Sequence, residues 1–465
     1  MNDHPTALRP GARVHLVGIG GAGMSALAQI LLERGHPVSG SDLRGGPACA
    51  ALAAMGAAVA VGHDAAHVDG ADLVVVSSAV PSANPEIGRA ARLGIPTIVR
   101  AELLELLLAG SRRLLVTGTH GKTTTTSMAT VALQSAGLDP SFAIGGTLHD
   151  AGTSAHHGRG DVFVAEADEA YRSFLRLTPD CAVVTNVEMD HHDAYADEAA
   201  VATAFRRFLA RRTPGAPALV CRDDAGGAAL LDDAGPPTVA YGEHPDASLR
   251  VAGVELAPDG SAFRLSSGVE DLGRFELRLP GRHNVLNAAA AVGAALWAGA
   301  DIDAVRAGLA GFHGAQRRFQ RLGDAGGVTV VDDYGHHPTE IAATIAAARQ
   351  TRPQGRVVAV FQPHRYSRTA ALGAALGTSL AAADLVVVTD VYPAGEAAVP
   401  GVTGALVADA AAAAGADTRF VPSTGDVAET VAALASEGDL VLTLGAGDIT
   451  EVGPVLLRLL EGRRG

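Results

Sequence analysis

Lys122 is the only lysine in this chain of 465 residues; the other 35 of its 36 Lys/Arg residues are arginine. It sits in the run Thr117-Gly118-Thr119-His120-Gly121-Lys122-Thr123-Thr124. A planar guanidinium fits badly where a compact ammonium must lie among phosphate oxygens and backbone donors. The apolar residues 114–116 predict a buried strand before the run. The segment from Lys122 towards Gly137 predicts a helix closed by a glycine suited to a C-cap. Strand, glycine loop and helix together point backbone N–H groups and a helix N-terminus at a phosphate. In that arrangement Gly118, Thr119, His120, Gly121 and Thr124 cradle ATP, Lys122 reaches the β- and γ-phosphates, and the Thr123 hydroxyl is a ligand for Mg²⁺. Two residues separate Gly118 from Gly121, where the general phosphate loop has four.

Three further groups of residues carry chemistry. Glu166 and His191 each follow an apolar run and suit Mg²⁺ beside Thr123; the plain alternatives are a helix cap and the solvated turn Asp190-His191-His192-Asp193. His283, Asn284 and Asn287 offer donors and acceptors to an adenine edge, although Asn284 would equally serve as an N-cap. Tyr334, His336, His337, His364, Arg365 and Arg368 gather at two strand ends. Guanidiniums there suit a carboxylate, and imidazoles could take a proton from an attacking amine.

A second glycine turn stands near the start, Gly18-Ile19-Gly20-Gly21-Ala22-Gly23-Met24-Ser25, with Asp42 following Gly18 by 24 positions. This lies close to the dinucleotide fingerprint, so an NAD-dependent oxidoreductase is one reading. The physics requires only a diphosphate on a helix N-terminus, which any nucleotide diphosphate satisfies.

The elements that must hold these residues follow an alternating strand and helix pattern. Strands are expected at residues 13–18, 72–77, 96–100, 162–166, 181–185, 329–331, 357–361, 384–388 and 440–444, with helices at about 25–34 and 102–108. Residues 213–280 read as a β-meander with loops. The fold expectation is α/β in three domains: Rossmann-like over residues 1–110, a central P-loop ATPase with a mostly parallel sheet over 111–314, and Rossmann-like α/β over 315–465. A net charge of −14 without a basic block argues against nucleic acid or an anionic membrane as partner. Neither a secretory leader nor an apolar run of spanning length is expected, which favours a cytoplasmic enzyme. Cys49, Cys181 and Cys221 are too widely spaced for a disulfide framework or a zinc site.

Laid out in order, the motifs resemble the Mur ligase family, in the branch that adds the first amino acid of the peptidoglycan peptide. They are Gly18-Ile-Gly-Gly-Ala-Gly-Met-Ser, Gly-Thr-His-Gly-Lys-Thr-Thr, Asp-Asp-Tyr-Gly-His-His-Pro, Phe-Gln-Pro-His-Arg-Tyr-Ser-Arg-Thr and Gly-Ala-Gly-Asp-Ile. The resemblance implies ATP-dependent ligation of L-alanine to the carboxyl of UDP-N-acetylmuramate through an acyl phosphate, by a monomer or dimer. It implies that Gly18, Gly20, Gly21, Ala22, Gly23, Met24, Ser25 and Asp42 bind the UDP-sugar. It further implies that Lys122 and Mg²⁺ on Thr123, Glu166 and His191 serve phosphoryl transfer, and that Tyr334, His336, His364, Arg365 and Arg368 hold the amino acid, with His336 as base or positioning group. Two departures stand out. The family usually reads Ser-Asp-x-Ser-Phe after Glu169, whereas this chain reads Ala170-Tyr171-Arg172-Ser173-Phe174. The carbamylated lysine of some sister ligases has no counterpart, because Lys122 is the only lysine. The rival readings are a ligase that recycles the murein tripeptide, a folylpolyglutamate-synthase-like enzyme, and a UDP-sugar-binding regulator without turnover.

Overall fold

The computed structural model describes residues 7–149, 151–192 and 194–462, which leaves Asp193 outside the described residues. The chain divides into two compact units. The first comprises residues up to Val187 with Ala202–Ala240 and Ala290–Gly308; the second comprises Glu188–Val201, Tyr241–Ala289 and the chain from Leu309 onward.

In the first unit, short segments make strands β1 (Val14–Val17), β2 (Val38–Asp42), β3 (Ala58–Val61), β4 (Leu73–Val76) and β5 (Thr97–Val99). All pair in parallel, in the order β3-β2-β1-β4-β5. The order reverses at β1, so the loop after β1 opens at the switch point where open α/β sheets bind ligands. That loop carries the first glycine turn. Its helix spans Ala22–Glu33 and so begins earlier than residue 25, because the glycine-rich stretch that reads as loop by propensity already supplies the first helical turn.

The second sheet of this unit contains β6 (Arg112–Thr117), β7 (Ser141–Ala143), β8 (Ala155–His156), β9 (Val162–Glu166), β10 (Cys181–Val184) and β11 (Ala218–Cys221). Its order is β11-β10-β6-β9-β7-β8, parallel except for β8. The Ala22–Glu33 helix is fastened to this sheet, since Gln29 Nε2 donates to the Ala155 carbonyl at 2.7 Å and Glu33 accepts from the His157 N–H. The expected boundary at residue 110 falls inside the unit, between the helix Arg100–Leu108 and β6.

In the second unit, the end of β12 (Thr238–Gly242) pairs in parallel with β13 (Leu249–Ala257). β14 (Gly260–Ser267) and β15 (Glu270–Leu277) then complete the antiparallel meander. β16 (Gln320–Ala325), β17 (Val328–Asp333), β18 (Val357–Phe361), β19 (Leu385–Val388), β20 (Thr418–Phe420) and β21 (Leu440–Leu444) form a sheet of order β16-β17-β21-β18-β19-β20, antiparallel only at β16. Residues along its strands alternate between two buried layers. Val331, Ala359, Phe361, Val386 and Leu442 face one layer, and Val330, Val358, Val360, Val387 and Val441 face the other. Burial on both faces is why these strands read as continuous apolar runs. All three cysteines are unpaired and buried. No helix among the described residues is long and apolar enough to cross a membrane.

Candidate active site

β6 runs into Gly118 at φ 137°, and the loop ends on Gly121 at φ 78°, the N-cap of the helix Lys122–Ser135. A Cβ at Gly118 would lie 1.9 Å from the Thr185 hydroxyl, so the close approach of the loop to the end of β10 requires glycine. Asn186 sets the loop's shape: its Oδ1 accepts the His120 N–H at 2.7 Å, and its Nδ2 donates to the His120 carbonyl at 3.1 Å. The helix starts without an acidic residue in its first turn, which leaves its positive end for an anion. Gly137, at φ 74°, follows the helix as expected for a C-terminal cap.

The Lys122 ammonium donates to the carbonyls of Gly118 at 2.5 Å and Thr119 at 3.1 Å, and to both carboxylate oxygens of Glu169 at 3.0 and 2.7 Å. Burial opposes its charged form, but Glu169, then Asp168, more than offset this, and its pKa is raised above that of an ordinary lysine. Thr123 and Thr124 are buried in the first turn of the helix. Glu166 ends β9 and accepts the Gly145 N–H at 2.6 Å.

A cavity of about 270 Å³ opens in the first unit beside the first glycine turn. Gly21, Gly23 and Met24 lie on one side, Gly145 and Glu166 on the other, and Arg100 on its wall. Arg100 makes no ion pair among the described residues, and a Cβ at Gly23 would lie 3.1 Å from its Cδ. Arg100 and Ser77, which no sequence motif singles out, both line this cavity. An arginine at the junction of a strand and a helix ordinarily faces water, and only the folded arrangement aims this one inward. Asp42 holds the turn itself, because its Oδ2 accepts the Gly20 N–H at 2.9 Å. Gly18, at φ 81°, begins that turn, and the Ser25 hydroxyl donates to the Ala22 carbonyl.

The second unit assembles a separate polar array. Arg368 forks onto Asp190, with Nε and Nη2 reaching Oδ1 at 3.1 and 2.9 Å and Nη2 reaching Oδ2 at 3.0 Å. Both side chains are buried, and burial opposes the Asp190 charge, but Arg368 holds that carboxyl far below the usual range. Arg368 Nη1 lies 3.3 Å from His364 Nδ1. The His364 ring stacks on Tyr392, and the His336 ring stands 6.0 Å from it and edge-on to Tyr334. Burial pushes His336 down to about 4 and His364 down to about 3, so both are neutral near pH 7. His336 Nδ1 lies 3.0 Å from the Tyr334 carbonyl, which assigns the proton to Nδ1 and leaves the Nε2 lone pair as acceptor.

Arg365 adopts φ 71°, a conformation sparsely populated by non-glycine residues, and its N–H donates to the Tyr392 carbonyl at 2.8 Å. His191, at φ 54°, follows Asp190, whose Oδ1 accepts its N–H at 2.7 Å. Asp332 and Asp333 belong to β17 rather than to the loop after it. Burial pushes Asp333 up to about 6, and it accepts from the N–H groups of Phe319 and Gly335. His283 is pushed down to about 4 by burial. Asn284 donates to the Pro280 carbonyl at 2.7 Å and Asn287 to Asn284 at 3.3 Å, inside the first turns of the helix Arg282–Ala298.

Three family models match consecutive stretches of the chain. They are described as Mur ligase family, catalytic domain, over residues 13–112; Mur ligase middle domain, over 116–295; and Mur ligase, glutamate ligase domain, over 317–447. A UDP-N-acetylmuramate–L-alanine ligase of Mycobacterium sp. (strain JLS) is 49% identical, the match covering 97% of this chain and 96% of that protein. Its namesake from Acidothermus cellulolyticus is 48% identical, covering 99% and 97%. Among solved structures, the UDP-N-acetylmuramate-alanine ligase of Thermotoga maritima aligns with a TM-score of 0.83 at 28% identity, over 97% of this chain and 99% of that one. A murein peptide ligase from Psychrobacter arcticus shares the fold, with a TM-score of 0.72 at 24% identity.

Proposed function

The chain belongs to the Mur ligase family, and from that premise we infer that it joins L-alanine to the carboxyl of UDP-N-acetylmuramate, driven by ATP, in peptidoglycan precursor synthesis. Near-full-length identity of 49% to curated alanine-adding ligases carries this reading. The same identity favours alanine over the murein tripeptide as the second substrate. The enzyme's use of ATP supports a cytoplasmic location.

A carboxylate is a poor electrophile because oxide is a poor leaving group. One carboxylate oxygen of the muramyl group therefore attacks the γ-phosphorus, ADP leaves, and an acyl phosphate forms. The alanine nitrogen then attacks the acyl carbon, and the tetrahedral adduct expels inorganic phosphate. Lys122 and the open helix N-terminus after residues 118–121 offset the charge that develops on the phosphoryl oxygens. The Thr123 hydroxyl and the Glu166 carboxylate are hard oxygen donors of the kind Mg²⁺ takes. When bound, the ion screens the triphosphate's negative charge.

The first glycine turn, with Asp42 fixing Gly20, receives the UDP diphosphate, and Arg100 adds a positive charge beside it. In the second unit, Arg365 holds the alanine carboxylate. Arg368, committed to Asp190, orients His364 instead of binding the amino acid directly. Neutral His336 accepts the amine proton at Nε2.

Phosphate release tests the reading. It should require UDP-N-acetylmuramate, ATP and L-alanine together. Equal or faster release with the tripeptide in place of alanine would move the chain to the recycling branch.

A further inference from the structure

Lys122 is already fully engaged by the protein. An ammonium has three N–H donors, and four acceptors lie within 3.1 Å of this one: two loop carbonyls and both oxygens of Glu169. Glu169 is 2% exposed, so its carboxylate has exchanged water for contacts within the protein, this ammonium among them. A triphosphate on the loop calls for the same ammonium and brings several negative charges against the same carboxylate. Both demands cannot be met at once.

Glu169 also heads an unusual turn. Its carbonyl accepts the Arg172 N–H at 2.9 Å, and the Asp168 carbonyl accepts from Phe174 and from the Ser173 hydroxyl. Within that turn Tyr171 (φ 52°, ψ 20°) and Arg172 (φ 57°, ψ 26°) both occupy the left-handed region, in which L side chains crowd the backbone. Tyr171, with Ala170 before it, stands where the family usually has its Ser-Asp pair. Tyr171 is half exposed, so the turn borders solvent and has room to move.

We propose that Glu169 is a built-in stand-in for the terminal phosphate of the nucleotide: it keeps Lys122 seated on the loop between turnovers, yields the ammonium when a triphosphate arrives, and frees the strained 169–172 turn as it leaves. The proposal rests on the reading that residues 118–124 bind ATP, and it adds a residue that competes with the nucleotide. The rival role for this carboxylate, as a magnesium ligand, has the opposite sign.

The test uses the full-length protein and the β,γ-imido analogue of ATP with Mg²⁺, so that binding is read without ligation. Calorimetry on Glu169→Gln should show the analogue bound about tenfold more tightly than by the wild type, with a smaller gain for ADP, which lacks the competing phosphate. Hydrogen exchange on the unmutated protein supplies a second measurement, independent of how the variant folds. Amides 169–174 should exchange faster once the analogue is bound, while those of residues 118–121 slow. Unchanged or weaker binding by Glu169→Gln, or slower exchange at 169–174, overturns the proposal. Failure of the wild type to bind the analogue at all would instead remove the ATP reading on which the proposal stands.

Discussion

The two glycine turns of the first unit use the same backbone device to different ends. Each follows a buried parallel strand at a switch point of its sheet, and each ends on a glycine N-cap that leaves a helix's positive end open. They differ in the charges brought to that end. Residues 118–121 have Lys122 within the loop and Glu169 against it. At residues 18–23 the carboxylate of Asp42 is tied to the turn's own backbone, and the cation, Arg100, comes from a separate helix. A turn that only holds a diphosphate needs fixed dipoles and a stationary charge. A turn at which phosphate is transferred needs a cation placed where charge develops during the reaction.

The largest effect is expected at Lys122. Lys122→Ala should lower kcat by about 10³-fold or more, while calorimetric affinity for UDP-N-acetylmuramate stays within twofold of wild type. A parallel loss of sugar affinity would break the division of labour between the turns. Next comes a matched pair of glycines. Gly118→Ala places a methyl 1.9 Å from the Thr185 hydroxyl at φ 137°, and should abolish detectable ADP binding while the protein still binds UDP-sugar. Gly20→Ala meets Cys49 Sγ at 2.9 Å and Asp42 Oδ2 at 3.0 Å, both ends of side chains that can shift. It should therefore weaken UDP-sugar binding by only about tenfold and leave ADP binding unchanged.

Arg100→Ala should raise KM for UDP-N-acetylmuramate by about tenfold, with kcat little altered if the charge acts equally in ground and transition states. A fall in kcat with unchanged KM would place Arg100 at the reacting carboxyl instead. A test of a different kind comes from the second unit and checks that its array is poised neutral. His336 is depressed from 6.5 to about 4, so the folded state binds fewer protons than the unfolded state between those values. The stability it contributes is complete above pH 6.5 and is lost as pH falls towards 4. Denaturant titrations of His336→Gln against wild type should show the variant losing less on that descent, by roughly 2 kcal/mol. Parallel pH profiles would mean that His336 is not held neutral by the fold.

Much of this could be read from the sequence, and the exceptions share a physical cause. Lys122, the glycines around it and the alternation of strand and helix are local signals, and each lies in the structure where its pattern places it. Partners distant in sequence were not legible. Arg368 reads as free to bind a carboxylate, yet Asp190, 178 residues away, forms a fork with it in the buried interior. Glu169 reads as a loop residue, and its contact with Lys122 spans 47 positions. Arg100 reads as the end of a strand, whereas it begins a helix and lines the cavity. Asp332 and Asp333 read as a strand-end motif but lie within β17, where Thr443 and the N–H groups of Phe319 and Gly335 meet their carboxylates.

Hydroxylamine trapping tests most directly the claim that one turn holds the sugar nucleotide while the other activates its acid. The wild-type enzyme is incubated with UDP-N-acetylmuramate, ATP, Mg²⁺ and hydroxylamine, without alanine. The account predicts a UDP-muramyl hydroxamate formed in step with ADP, and none from Lys122→Ala. No hydroxamate from an enzyme that ligates alanine normally under the same conditions would contradict it.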